Sequence, residues 1–191
     1  METFRDREVI FCADEVAWEQ WLAKNYIRHD GVWLKIAKKS SGIESVTHLE
    51  SLDGALCYGW IDGQGMPYDE EYYLQKYTPR RPKSQWSKVN VAKVEALIVA
   101  GRMQEPGLAE IDMAKADGRW DAAYEPMRNL TVPDDFADAL RQAPRAQEFF
   151  DTLNKTQRFT FIMRIMTLKN MERRKARIQQ YVRMLENKQL L

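Results

Sequence analysis

The sequence predicts an α+β protein in which a small, mainly antiparallel sheet with packed helices is followed by an all-α C-terminal helical region. Apolar residues that alternate with polar or aromatic ones predict strands in the first part, as in Val32–Ala37. Beyond residue 133 the apolar residues instead recur with a helical period. Because 45% of the 191 residues are hydrophobic, the chain can bury a core of its own.

Four strands are predicted in the first 80 residues. They span residues 8–11, 32–37, 60–62 and 72–78. The second strand is expected to be central. The last two are expected to form a hairpin whose loop turns through Gly63 and Gly65, because glycine allows the backbone conformations that turns require.

Capping signals place two helices between these strands. Asp14 is a typical N-cap residue, and Thr47 and Glu50 have the spacing of a capping box. The apolar face of the first helix is Trp18, Trp21 and Leu22. The predicted buried stripe of the second is Leu49, Leu52 and Leu56. Gly59 is expected to end the second helix, since glycine tolerates the left-handed conformation found there.

Two further helices are predicted after residue 83. Ser84 or Ser87 caps the first of them, and Gly101 ends it. Its apolar stripe is Val91, Val94, Leu97 and Ile98. Pro106 suits the first turn of the second helix, which Gly118 closes.

A domain boundary is predicted at residues 121–133, which contain Pro126 and Pro133 and lack a firm period. It separates an α+β domain, residues 1–120, from a C-terminal helical region, residues 134–191. Helices are predicted there at residues 134–142, 144–153, 154 or 155 to 168, and 170–187. Their stripes are Phe149, Phe150 and Leu153, then Phe159, Ile162, Met163 and Met166, then Ile178, Tyr181, Val182 and Leu185. They could form a small bundle or pack onto the first domain.

The formal net charge of +1 conceals an asymmetry. Residues 155–191 contain ten Lys and Arg against two Glu, a net +8, which leaves −7 for residues 1–154. The two parts could dock electrostatically, which is the interpretation we favour, or the basic end could meet an anionic partner.

The sequence also bears on compartment and cofactors. It shows neither the apolar core of a secretory signal nor the ~18 apolar residues of a membrane span, so we expect a cytoplasmic location without membrane insertion. Cys12 and Cys57 have no spacing that indicates a disulfide framework. His29 and His48 are the only histidines, so any metal site would depend mainly on carboxylates, and we predict no structural zinc. We also expect no other metal and no cofactor.

The segment TPRRPKSQWSKVN, residues 78–90, is the most function-like feature of the sequence. Arginine forks, hydroxyls and free N–H groups at a helix start suit a phosphate or carboxylate, and an indole could add a stacking face. The candidate ligand-binding residues are Trp60, Asp62, Arg80, Arg81, Ser84, Trp86, Ser87 and Asn90. A structural interpretation competes, in which prolines fix a connection, serines cap the helix and arginines pair with acidic residues.

Asp62 ends the third predicted strand, in WIDG, where a catalytic or ligand-fixing carboxylate is often placed. It could equally form an Asx-type turn or an ion pair with Arg80 or Arg81. No catalytic triad can be assembled, and neither a nucleophile elbow nor a dinucleotide fingerprint occurs.

The last predicted helix begins with the basic segment KNMERRKAR, residues 169–177. Lys169, Arg174 and Arg177 form a candidate secondary basic face. A solvated or docking face is favoured over a nucleic-acid interface, because aromatic residues do not interleave with these cations.

Several strings together resemble the YdeI/OmpD-associated family, also called bacteriocin-protection proteins. They are GWIDG, YLQKYTPRRPKSQWSKVN, LIVAGRM, AKADGRWDAAY and the C-terminal LKNMERRKARIQQYVRML. Besides the candidate residues above, the resemblance points to Gly101, Arg102, Met103, Trp120, Lys169, Glu172, Arg174 and Arg177. Leu168 and Arg173 depart from the family pattern, which weakens any role assigned to the last helix.

The family name implies protection from bacteriocins or cationic peptides and association with a porin, but no reaction or cofactor. We therefore expect a stress- or defence-associated protein that binds an anionic small molecule or peptide in a pocket around residues 78–90. The alternatives are an enzyme using Asp62 near Arg80 and Arg81, or nucleic-acid binding through the last helix.

Overall fold

The computed structural model describes residues 2–28, 30–125 and 131–191. The chain forms two compact units, Met1–Tyr124 and Glu125–Leu191, and each is described by itself. The mainly antiparallel sheet with packed helices and the helical C-terminal region are both confirmed. Residues 126–130 of the predicted linker and His29 lie outside the described residues, and the domain limits stay a prediction.

A five-stranded sheet with the order β1-β2-β3-β5-β4 organises the N-terminal unit. Its strands are β1 Thr3–Phe4, β2 Arg7–Phe11, β3 Val32–Ala37, β4 Trp60–Pro67 and β5 Tyr72–Pro79. As predicted, β3 is central: it pairs in parallel with β2 and antiparallel with β5. The short β1 and the parallel pairing did not follow from the sequence.

The hairpin between β4 and β5 is longer than predicted. Gly63 and Gly65 are strand residues, so the predicted turn through them is wrong. The register instead shifts between Asp62 and Gly65, as glycine in a strand often marks a bulge. The chain turns at residues 68–71, where Asp69 Oδ1 accepts hydrogen bonds from backbone N–H groups at 2.9 and 2.7 Å.

Four helices accompany the sheet. They are α1 Glu15–Asn25, α2 His48–Cys57, α3 Lys88–Val99 and α4 Glu105–Ala116. Asp14 caps α1, and the capping box of Thr47 and Glu50 opens α2, both as predicted. Of the two candidate serines, Ser87 caps α3, where its side chain accepts from the N–H of Asn90.

The main core lies between the sheet and these helices. Trp18 and Leu22 of α1 pack there with Leu34 of β3 and Tyr77 of β5, and all four are 0% exposed. The predicted stripe of α2 is wrong at Leu49, which is 61% exposed. The buried side of α2 is instead completed by its small residues.

A smaller cluster covers the opposite face of the sheet. Val9, Trp33 and Leu74 are buried there, with Phe4 and Met66 packed against them. All five belong to strands, so among the described residues this cluster contains no helical residue. We call this side the strand-only face.

The C-terminal unit is helical throughout its described elements. They are α5 Asp134–Arg141, α6 Pro144–Thr152, α7 Lys155–Met166 and α8 Met171–Glu186. Phe150 and Tyr181 flank Phe161 edge-on, with ring centroids 6.4 and 5.1 Å away. The predicted stripe of α7 is rotated: Phe161, Ile162 and Ile165 are buried, whereas Met166 is 45% exposed.

No helix in the described part of the chain has the length and apolarity that a bilayer crossing requires.

Candidate functional site

The segment of residues 78–90 is divided between the core and the surface. Arg80 is only 6% exposed, and its guanidinium carbon lies 3.7 Å from the ring centroid of Trp86. Trp86 itself is 1% exposed and packs against Trp120, with 5.1 Å between the ring centroids. The indole of Trp86 therefore stacks on an arginine of its own chain and presents no open face to a ligand.

The buried charge of Arg80 lies near an acidic residue of its own unit. Burial lowers the pKa of Arg80 to about 10, while the nearby Glu110 opposes this shift. Burial likewise raises the pKa of Glu110, and Arg80 and Arg119 oppose that change. Arg80 Nη2 donates to the carbonyl of Gln85 at 2.9 Å. Arg80 thus fixes the loop before α3 rather than facing solvent.

Three further candidate residues support the fold. Trp60 is 1% exposed, and its Nε1 donates to the carbonyl of Tyr26 at 2.9 Å. Ser87 and Asn90 form the cap of α3, with 3.1 Å between Ser87 Oγ and the backbone nitrogen of Asn90. These residues are accounted for by packing and capping.

The GRM string after α3 is also structural. Gly101 has a φ of +68°, the left-handed conformation that ends a helix. Arg102 Nη2 donates to two carboxylates of α1. One is that of Glu15, and the other is that of Glu19 at 2.6 Å. Met103 packs against the cluster around Trp86.

Arg81 and Ser84 line a cavity of about 320 Å³ at one end of the strand-only face. The cations Arg5, Arg7 and Lys76 and the indole of Trp33 also line it. Uncharged residues of β4 and β5 complete the lining.

The charge of this basic cavity is entirely positive. Four cations line it, Arg5, Arg7, Lys76 and Arg81, and no carboxylate does. None of the four takes part in an ion pair recorded among the described residues. Burial lowers the pKa of Lys76, and the charges of Arg7 and Arg81 lower it further. The site therefore holds positive charge that the described residues do not neutralise by an ion pair.

Buried donors without acceptors surround the same cavity. Arg7 Nη1, Trp33 Nε1 and Ser84 Oγ are buried and lack a hydrogen-bond partner in the described part of the chain, and their side chains all line the cavity. Buried polar atoms are normally partnered, and each of these three can donate. Such a cluster suits an acceptor that comes from outside.

The sequence alone did not identify Arg5, Arg7 and Lys76 as site residues. They come together because the sheet places Val9 beside Trp33 and Trp33 beside Lys76, while alternate residues of a strand share a face. Lys76 lies two residues before Thr78, the first residue of the segment 78–90, and residues two apart on a strand share a face. This spacing could have identified Lys76 from the sequence. Arg5 and Arg7 could not be identified in this way, because their positions depend on the pairing of β1 and β2 with the sheet.

Asp62 is not part of the basic cavity. Its neighbours Ile61 and Gly63 line the cavity, and side chains alternate along a strand. Asp62 Oδ2 instead lies 3.3 Å from Nε2 of His48, at the start of α2. The ion pair with Arg80 or Arg81, one of the alternatives for Asp62, is not among the recorded ion pairs of the described residues, and a contact with a histidine is found instead.

The basic face of α8 is largely engaged within its own unit. Arg174 donates Nε and Nη2 to Asp135 at 2.6 and 2.9 Å, and Nη1 to the carbonyl of Ile165 at 2.9 Å. Arg177 Nη1 donates to the hydroxyl of Tyr181 at 3.3 Å. Only Lys169, of the three predicted residues, is exposed without such a bond.

The bond between Arg174 and Asp135 predicts a pH dependence of stability. The hydrogen bond from Arg174 lowers the pKa of Asp135, so its contribution is present above the unfolded-state pKa and is lost as pH falls through the folded-state pKa. We expect Asp135→Asn to flatten the acid limb of urea stability measured by circular dichroism. The exposed Glu148→Gln should leave that limb unchanged, and equal curves for Asp135→Asn and the wild type would contradict the assignment.

The described residues contain no candidate metal site. Among the residues that the structure describes, no three or more His, Cys, Asp or Glu side chains are grouped so that they could hold an ion.

Comparison with known proteins gives two family matches. Residues 10–110 match the family described as "Domain of unknown function (DUF8412)". Residues 129–188 match "Bacteriocin-protection, YdeI or OmpD-Associated", which confirms the resemblance over the C-terminal part, whereas the quoted strings span nearly the whole chain. No curated protein and no solved structure matches. Because residues 10–110 are more than half of the chain, the protein belongs to the DUF8412 family, with a YdeI/OmpD-associated segment at its C-terminal end.

Proposed function

We propose that this protein is a binding protein whose N-terminal unit takes an anionic group into the basic cavity. The observation that carries the proposal is the set of four cations without a lining carboxylate. Like charges held together are costly unless a counterion joins them, and the lowered pKa of Lys76 has that repulsion among its causes.

The buried donors narrow the chemistry of the ligand. An arginine fork and a lysine bind phosphate or carboxylate oxygens through charge-assisted hydrogen bonds. Arg7, Trp33 and Ser84 add buried donors, which supports a group that offers several acceptor oxygens. A phosphate or diphosphate meets both requirements better than a single carboxylate, because it brings more charge and more acceptors.

The family description gives the proposal its biological setting. The C-terminal match is described by bacteriocin protection, so anion binding in a stress or defence context, in the cytoplasm, is the form of the proposal that we favour. Association with a porin rests on the family name alone.

Thermal unfolding with inorganic pyrophosphate tests the cavity. A ligand that binds only the folded protein stabilises it by about 2.7 kcal/mol at a hundredfold excess over Kd, which should raise the Tm by several degrees. Arg81→Ala should remove most of this increase, since Arg81 lines the cavity. Arg81 is exposed and forms no ion pair with the residues that the structure describes. Its replacement should therefore leave the fold intact.

Arg145→Ala is the matched control, because it removes an exposed arginine of α6 in the other unit. It should retain the full increase of Tm. If pyrophosphate does not stabilise the wild type, or stabilises Arg81→Ala equally, the cavity is not the anion site.

A further inference from the structure

Exposed aromatic residues continue the strand-only face beyond the basic cavity. Phe11 of β2 is 49% exposed and meets Tyr72 of β5 edge-on, with ring centroids 6.0 Å apart. Lys35 Nζ lies 4.4 Å from the ring centroid of Tyr72 and 5.0 Å from that of Tyr68. Cations and aromatic rings are therefore neighbours at this end too.

The strand register places the basic cavity and the exposed ring of Phe11 on the same face of the sheet. Phe11 lies beside Lys35, and Lys35 beside Leu74. Arg7 is four residues before Phe11 on the same face of β2, which separates the two positions by about 13 Å. A single phosphate cannot reach from the cavity to the exposed ring, whereas a chain of nucleotides can.

Two carboxylates at the margin of this face accept hydrogen bonds from residues of the same unit. Glu2 accepts a hydrogen bond from the hydroxyl of Tyr68. Asp69 accepts from the backbone N–H groups of Glu71 and Tyr72. Both carboxylates are therefore held by residues of the turn at 68–71.

We propose that the strand-only face binds single-stranded nucleic acid, with a phosphate in the basic cavity and a base stacked on Phe11. Sheets that bind single strands combine a positive track for the backbone with aromatic side chains for the bases. The inference rests on the proposed function, because the cavity supplies the phosphate site. A duplex would not fit, since its bases are already stacked on each other.

This interface differs from the one that the sequence left open on the last helix. Arg174 and Arg177 of α8 are engaged by Asp135, Ile165 and Tyr181. Aromatic residues interleaved with cations, the feature missing from that helix, are present on the strand-only face.

Fluorescence anisotropy with labelled twelve-nucleotide oligo(dT) and oligo(U) at low salt tests the proposal. The wild type should bind at least one of them more tightly than a DNA duplex of the same length, with an affinity that falls steeply as salt rises. Phe11→Ala should weaken binding by about tenfold, as expected for the loss of one base–aromatic stack. Arg81→Ala should weaken binding and reduce the salt slope by about one.

Leu49→Ala is the matched control, because Leu49 is a comparably exposed apolar residue, 61% against 49%, on a helix of the opposite side. It should bind as the wild type does. The pyrophosphate stabilisation of Phe11→Ala should be that of the wild type, which shows that its fold and cavity are intact.

The outcomes separate the two proposals. If pyrophosphate stabilises the protein but neither oligonucleotide binds, or Phe11→Ala binds as Leu49→Ala does, the nucleic-acid interface is overturned and the anion site stands. Equal binding of the duplex also overturns it. If pyrophosphate has no effect, both proposals fail. Preference for oligo(U) or oligo(dT) identifies RNA or DNA as the ligand.

Discussion

Phe161→Ala should destabilise the C-terminal unit by about 3–5 kcal/mol, the usual cost of removing a buried phenyl ring. Phe161 is 1% exposed and lies edge-on to both Phe150 and Tyr181, so the substitution leaves a cavity and removes two aromatic contacts. A unit of 67 residues is stable by only about 3–10 kcal/mol. The loss is therefore a large part of the stability of the unit.

Urea unfolding followed by far-ultraviolet circular dichroism measures this effect. Tryptophan fluorescence reports on the N-terminal unit separately, because all six tryptophans lie in residues 1–124. Met166→Ala is the control on the same helix, where Met166 is 45% exposed and its truncation should cost less than about 1 kcal/mol. If Phe161→Ala and Met166→Ala lower the free energy of unfolding equally, Met166 is buried as the sequence predicts and the orientation of α7 in the structure is contradicted.

Gly107→Ala should destabilise the N-terminal unit by about 2–3 kcal/mol, at the upper end of the range for overpacking. A Cβ at position 107 would lie 2.2 Å from the carbonyl oxygen of Cys57 and 2.7 Å from Cε of Met103. That oxygen also accepts from the N–H of Gln104 at 3.1 Å, which limits its freedom to move. Alanine is the better helix former by about 1 kcal/mol, but the clash with backbone outweighs that gain.

Chemical unfolding followed by tryptophan fluorescence measures the effect, since the tryptophans report residues 1–124. Gly63→Ala is the matched control: its Cβ would meet Lys76 Cβ at 3.6 Å, an ordinary contact. We expect a change within about 0.5 kcal/mol there. A Gly107→Ala protein as stable as Gly63→Ala would mean that α2 and α4 pack less closely than the structure indicates.

Local signals in the sequence predicted most of the secondary structure. The capping box of Thr47 and Glu50 and the N-cap Asp14 are decided by residues within one turn. The helix starts at Pro106 and Asn154 are likewise local. Such signals depend on hydrogen bonds between near neighbours, so they can be recognised without the fold.

The register of helix faces was less predictable. Leu49 and Met166 were assigned to buried stripes and are exposed, because several rotations of an amphipathic helix give similar apolar faces. The choice among them is made by the partners that the helix meets. The turn predicted at Gly63 and Gly65 is wrong for a related reason. Glycine is typical both of a β-bulge and of a turn, so its presence alone does not distinguish them.

The candidate site shows the same division. Arg81 and Ser84 were identified from the motif, and the structure places them in the basic cavity. Trp86 and Arg80, read as ligand-facing residues, stack on each other in the interior. A motif rich in donors cannot by itself distinguish donors that serve the fold from those that remain available.

The sequence by itself determined the α+β class, the order of the helices and of four strands, and the C-terminal family match, because these depend on local periodicity, capping and motif spacing. Only the tertiary structure decided that Arg5, Arg7 and Lys76 join Arg81 around one cavity, and that Asp62 meets His48 instead. Strand pairing brings Arg7 and Lys76 to one cavity although they lie 69 positions apart in the sequence. Which face each one occupies depends on a register that no local pattern specifies.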